Sequence, residues 1–179
     1  MLFRSETRDF PVYALVVGKG GPKLKESPLD PMPEGADPTK ANVNVQASGG
    51  PQGVTMSFGR GAFIRFGDNK LEATKATMSG FADTLARFMD KPVIDMTELT
   101  STYDFSLQLT AEDYRAMLIR SAIGAGVALP PQALLLLNYE GAGDSIHSSI
   151  QALGLKLESR KAPLEVLVID SVRKTPTDN

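Results

Sequence analysis

Phe3-Arg4-Ser5-Glu6-Thr7-Arg8-Asp9-Phe10-Pro11-Val12-Tyr13-Ala14-Leu15-Val16-Val17 opens the chain, and Leu155-Lys156-Leu157-Glu158-Ser159-Arg160-Lys161-Ala162-Pro163-Leu164-Glu165-Val166-Leu167-Val168-Ile169 nearly closes it. Aligned on Pro11 and Pro163, the two stretches share Glu6/Glu158, Arg8/Arg160, Leu15/Leu167 and Val16/Val168, and most other positions match by type. Each copy reads as a polar-edged strand, a short turn closed by proline, and a strongly apolar strand. On this reading residues 2–7 and 11–18 form one strand pair, and residues 155–160 and 164–172 another.

Working inward, residues 24–53 are rich in Pro, Gly, Ser, Asn and Asp and predict a flexible loop. Val54–Phe58, Ala62–Phe66 and Lys70–Ala76 predict short strands, separated by Gly59-Arg60-Gly61 and Gly67-Asp68-Asn69. Thr77 caps a predicted helix whose apolar stripe is Met78, Phe81, Ala82, Leu85, Phe88 and Met89. Val93–Asp95 and Tyr103–Leu109 predict strands. Thr110 with Asp113 signals a helix running to about Ile123, with Tyr114, Met117, Leu118 and Ala122 facing inward. Gln132–Leu137 predicts a short helix packed on the core, and Ser145 caps a last helix ending at Gly154. Residues 174–179 predict a loose tail.

These elements give one α+β domain over residues 1–179, with a mainly antiparallel sheet and two or three helices packed on one face. Helix 145–153 precedes the C-terminal strand pair, and helix 78–89 precedes strands 93–95 and 103–109. A repeated helix-strand-strand unit is therefore expected, twice whole and once without its helix. Two readings of the beheaded copy stand: the native protein extends upstream of Met1, or the first strand pair stands alone at a sheet edge.

With 179 residues and 42% apolar content, the chain is long enough for a real core. A net charge of −2 without a dense basic run argues against nucleic acid as a partner. The absence of cysteine excludes disulfides, thiolate nucleophiles and cysteine-bound zinc, and one histidine excludes a multi-histidine metal centre within one chain. No long apolar run spans a membrane.

Phe10-Pro11-Val12-Tyr13-Ala14-Leu15-Val16-Val17 with Gly20-Gly21-Pro22-Lys23-Leu24 is the first of three motifs that occur in a recognisable order. The second is Lys91-Pro92-Val93-Ile94-Asp95-Met96-Thr97 with Tyr103-Asp104-Phe105. The third is Leu153-Gly154-Leu155-Lys156-Leu157-Glu158 with Val166-Leu167-Val168-Ile169-Asp170. In this order they resemble the soil-associated paralogous family of Acidobacteria, the domain of unknown function 3738. The resemblance covers most of the chain outside the proline-rich loop. It implies an extracytoplasmic protein, periplasmic or secreted, often made with a signal peptide, and it implies no known activity. Family members often carry glycine where this chain has Glu98 and Ser101. More distantly, the helix, Leu-Gly-Leu and paired strands are similar in pattern to the short N-terminal domains of secretins and TonB-linked receptors.

Several residues invite a chemical reading. Asp95, Glu98 and Asp104 form the densest acidic group near a turn, and paired carboxylates serve acid-base catalysis or a hard cation. The bland reading of Asp95 and Asp104 is that they bond turn amides at strand ends. His147 stands near Ser145 and Ser148, but no Gly-x-Ser-x-Gly elbow accompanies them. Gly18-Lys19-Gly20-Gly21-Pro22-Lys23 lacks the Gly-Lys-Ser/Thr end of a phosphate loop, so it reads as a turn, as does Gly59-Arg60-Gly61. Tyr13, Tyr103, Tyr114 and Tyr139 read as packing rather than a groove, and Ala133–Leu137 as buried helix rather than a partner-facing patch.

No catalytic residue, cofactor-binding residue or metal ligand emerges, and no cofactor is expected. The expected function is a non-catalytic extracytoplasmic interaction or sensing domain, binding an envelope protein or peptide by strand addition. The alternatives are a hydrolase using acidic residues near Asp95 and Asp104, and a carrier of a small apolar ligand.

Overall fold

In the computed structural model, the structure describes residues 2–32, 44–47, 53–124, 126–137 and 143–171. The elements run β1 (Leu2–Val17), β2 (Lys25–Glu26), β3 (Asn44–Ala47), β4 (Val54–Gly59), β5 (Ala62–Gly67), β6 (Lys70–Thr77), α1 (Met78–Ala86), β7 (Val93–Asp95), β8 (Thr102–Gln108), α2 (Ala111–Gly124), α3 (Pro131–Leu135), α4 (Asp144–Ala152) and β9 (Leu155–Ser171). Two sheets form, one in the order β7-β1-β9 and one in the order β2-β8-β6-β5-β4-β3. Every strand pair is antiparallel except β1 with β7. The α+β class holds. The proline-rich stretch 24–53 contributes β2 and β3; its residues 33–43 and 48–52, and the expected tail 174–179, lie outside the described residues.

The two similar stretches are not hairpins. Each is a single strand, and the two pair with each other from Phe3↔Ile169 to Val17↔Leu155 without a register break. Phe10 and Ala162, equivalent positions of the two copies, are partners, so the copies meet about a local two-fold axis. The turn expected at each proline is absent for a backbone reason. Tyr13 N donates to Pro92 O at 2.8 Å and Met96 N to Leu15 O at 2.9 Å, whereas Gly18 N donates to Gly154 O at 2.8 Å. Odd-numbered residues of β1 therefore turn their backbone groups away from β9, and even-numbered ones turn them toward it. Pro11 pairs with Lys161, and Pro163 pairs with Asp9, both in the outward set. Neither ring removes a donor from the ladder, so proline is tolerated mid-strand.

The expected pairing of strands 93–95 and 103–109 also does not occur. β7 joins β1, while β8 joins β6 and β2. The repeat is a likeness of two strands that pair, not a repeated helix-strand-strand unit.

One face of the β1–β9 ribbon carries matching ion triads. Arg8 Nε donates to Glu6 Oε1 at 2.7 Å, and Arg4 Nη2 lies 3.4 Å from Glu6 Oε2. Arg160 Nη2 donates to Glu158 Oε2 at 2.6 Å, and Lys156 Nζ lies 3.1 Å from Glu158 Oε1. The hydrogen bond from Arg8, foremost, holds the Glu6 carboxyl below the usual carboxylate range, and that from Arg160 does the same for Glu158. Such groups add stability that is present above the ordinary carboxylate pKa and lost as the pH falls through the lowered folded value. These side chains are exposed, so salt and water keep the effect small.

The main core lies where Leu15, Val93 and Leu155 of the first sheet meet Ile64, Phe66, Leu71 and Leu107 of the second. Met78, Phe81 and Leu85 of α1 and Ile146 and Ile150 of α4 fill the space between. Phe81 sets its ring edge-on to Phe105 at 4.7 Å, and Phe66 does so to Phe88 at 5.0 Å. The α1 stripe is buried as its spacing predicts. Asp68 and Asn69 both take positive φ, +50° and +56°, in the two-residue hairpin between β5 and β6.

Two helix expectations need correction. α2 buries Met117 and half-buries Tyr114 as expected, but Leu118 is exposed, and Asp113 and Ala116 are buried instead. α3 buries none of its residues, and Leu134, Leu135 and Leu136 face solvent. Leu134, Leu135 and Leu136 occupy consecutive positions and so splay around the helix axis rather than forming one apolar stripe.

The backbone parity sets a direct test. Leu167 belongs to the outward set and Val168 to the inward one. Leu167→Pro is expected to keep the ladder, while Val168→Pro breaks it and costs about 1–3 kcal/mol more. Urea denaturation of the two variants measures the difference.

Candidate functional site

The acidic residues singled out by sequence do not converge. Asp95 ends β7, and its Oδ1 accepts from Thr97 N at 2.9 Å and Thr97 Oγ1 at 2.7 Å. Thr97 Oγ1 in turn accepts from Leu99 N at 3.2 Å. Glu98 sits in this turn, exposed, with φ +61°. That left-handed backbone is one glycine enters without steric cost. Asp104 lies on β8, in the other sheet, where its Oδ1 accepts from Lys75 N at 2.9 Å. Lys75 is the irregular residue of β6, with φ +49°, where the register to β8 shifts between Ala73 and Ala76. Asp104 thus ties down an amide that the bulge takes out of the ladder. Asp95 bonds a turn amide at a strand end, as its bland reading holds; Asp104 bonds a bulge amide instead. Among the described residues, no group of three or more His, Cys, Asp and Glu side chains is placed to hold a metal ion.

His147 lies in the first turn of α4. Its Nδ1 is 2.9 Å from Gly143 O, and its ring meets Tyr13 edge-on at 6.1 Å. A carbonyl only accepts, so Nδ1 carries the proton in this contact. The neighbouring serines do not pair with it. Ser148 is exposed, and Ser145 Oγ donates to Asp113 Oδ2.

Asp113 is the residue that sequence reasoning missed. It is only 3% exposed, and it accepts from Gly143 N at 2.6 Å and Ser145 N at 3.0 Å. One helix thereby caps another: a carboxylate from α2 satisfies the free amides at the start of α4 and meets its positive end. Ser145 is therefore not the cap expected of it. Its hydroxyl accepts instead from Thr110 N at 3.1 Å, while Thr110 Oγ1 accepts from Asp113 N at 3.1 Å. The Thr110–Asp113 spacing did signal the start of α2. Nothing in it signalled that the carboxylate serves a helix 30 residues on.

The glycine segments are structural. Gly21 N donates to Gly18 O at 3.0 Å, and Lys23 N to Leu153 O at 2.7 Å, which docks this turn on the junction between α4 and β9. A Cβ on Gly154 would stand 2.0 Å from Gly21 O, so only glycine fits there. Tyr103 is buried, and Tyr13 and Tyr114 pack half-buried against the core; Tyr139 lies outside the described residues.

Two features remain open. The outer edge of β9 has no strand partner among the described residues. Beside it Leu167 and Ile169 are 61% and 52% exposed. Pro163, whose missing donor falls on this edge, divides it into two halves. Separately, a recess of about 210 Å³ lies at the start of α1. Leu29, Phe58, Ala62, Ile64 and Ala76 form its apolar wall, with Lys75, Arg60, Thr77 and Gly80 around it.

Residues 1–172 match the family of proteins of unknown function DUF3738. The chain belongs to the DUF3738 family. No curated protein and no solved structure matches it. The family carries no assigned activity, so the side chains alone speak to function.

If Asp104 and Asp113 are structural, alanine at either costs stability. Asp104→Ala is expected to lose about 1–3 kcal/mol and Asp113→Ala about 2–4 kcal/mol. Chemical denaturation measures both, and an Asp113→Ala protein as stable as the parent would contradict the capping role.

Proposed function

We propose that this domain is a non-catalytic recognition module that receives an extended peptide or protein segment along the outer edge of β9. One observation carries the reading. From Glu165 to Ile169 the odd-numbered residues present outward backbone donors and acceptors with no strand partner among the described residues. Exposed Leu167 and Ile169 flank that edge. Backbone pairing there would supply affinity, and the two apolar side chains would select alternate residues of the partner. Pro163 confines the pairing to one half of the strand at a time. An extracytoplasmic setting and an acidobacterial lineage belong to the same reading, and their support is the resemblance of the three motifs.

The hydrolase alternative gains no support, because Asp95 and Asp104 are each engaged in holding backbone amides. A small-ligand reading has one observation in its favour, the apolar recess beside α1.

A displayed library of random linear peptides, selected on the immobilised domain, tests strand addition. Enriched peptides are expected to alternate apolar and polar residues. Their affinity is expected to fall about tenfold or more for Leu167→Pro, which deletes one outward donor. Peptides that bind the variant as tightly as the parent would refute the reading.

A further inference from the structure

We infer that the recess at the start of α1 binds a small apolar molecule bearing one carboxylate, such as an aryl or short-chain acid. This rests on the small-ligand reading and adds the charge, the size and the residues. Size comes first. An apolar cavity of about 150 Å³ accepts benzene, and drug-sized ligands need about 300 Å³ or more. At about 210 Å³ the recess suits one aromatic ring or a chain of a few carbons.

Polarity comes next. The wall is apolar, while two cationic side chains and the start of a helix also line the recess. Lys75, whose side chain is 17% exposed, reaches it from the β6 bulge. Arg60 stands beside it and donates to Asp30 O only from Nε, at 2.8 Å. Among the described residues its two terminal amino groups have no hydrogen-bond partner, which leaves them to donate to a ligand. Thr77 and Gly80 bring the N-terminal turn of α1, which contains no acidic residue; Gly80 N is bonded to Thr77 Oγ1 at 3.1 Å, so this turn contributes through its dipole and not through that amide. A helix start, a lysine and an arginine together favour an anion over a neutral group.

The site also has a built-in competitor. Lys75 Nζ pairs with Asp30 Oδ1, and Asp30 is 56% exposed. Gly61 leaves the space for this pair, since a Cβ there would stand 2.2 Å from Asp30 Oδ2. The segment bearing Asp30 is pinned by Ser27 N to Thr102 O at 2.9 Å and by Asp30 N to Arg60 O at 3.0 Å, which sets Leu29 against the recess. A ligand carboxylate would take the place of Asp30 on Lys75, and its apolar body would lie against Leu29, Ile64 and Ala76.

Phenylacetate and hexanoate, titrated against the full chain and followed by amide chemical shifts, test this. Saturable shifts are expected at residues 58–64, 75–80 and 102. Phenylacetamide, which keeps the ring and loses the charge, is expected to bind at least about tenfold more weakly, as is phenylacetate to Lys75→Met, with Lys75→Arg retaining binding. Ala76→Leu, which fills the recess, is expected to abolish the shifts; if that variant fails to fold, the Lys75 pair decides alone. Equal binding of acid and amide would overturn the carboxylate assignment while leaving a small-ligand site. No saturable shift with any of the three compounds, or shifts elsewhere, would overturn the small-ligand reading with it.

Discussion

The alternation of backbone direction along β1 and β9 is the constraint on which this structure depends. Two strands of 16 and 17 residues pair along almost their full length. Every second residue spends its donor and acceptor between them, and the rest face outward. Pro11 and Pro163 both fall in the outward set. The same parity settles three matters at once: why proline sits mid-strand, where β7 attaches, and why the outer edge of β9 offers backbone groups at odd positions only.

Three carboxylates do much of the remaining structural work by accepting from backbone amides. Asp95 closes the turn after β7, Asp104 holds the bulge in β6, and Asp113 caps α4 from α2. In each case the amide is one that regular secondary structure leaves without a partner. A carboxylate committed in this way is poorly placed to shuttle protons or to ligate a cation. The acids that look most like chemistry in the sequence are therefore those that stabilise irregular backbone. The β9 edge and the recess beside Lys75, on which the proposed recognition rests, lie elsewhere.

Exposed apolar side chains mark the surface unevenly. Leu167 and Ile169 lie on the ribbon, and Leu134, Leu135 and Leu136 lie on and after α3. Single exposed leucines are ordinary, but a helix that buries none of its residues is not. Its five residues are too few to form a stable helix alone.

Local pattern was legible where a single element decides it. The period of Met78, Phe81, Ala82 and Leu85, the cap at Thr77, the two-residue turn at Asp68-Asn69 and the strands from Val54 to Ala76 follow from side-chain spacing and turn chemistry. The likeness of the two terminal stretches was legible too. Which strand pairs with which was not legible, because a strand's hydrogen-bonding edge looks the same to any partner. The proline that signals a turn locally becomes compatible with a long strand once its partner lies on the other side. Asp113 shows the same limit: its spacing from Thr110 marks a helix start, but only packing of α2 against α4 brings it to Gly143 and Ser145. The sequence by itself determined the interior strands, the tight turn at Asp68-Asn69 and the buried stripe of α1, through interactions a few residues apart. Only the tertiary structure decided the sheet order, the open edge, the recess and the work of each carboxylate, because these depend on backbone groups distant in the chain.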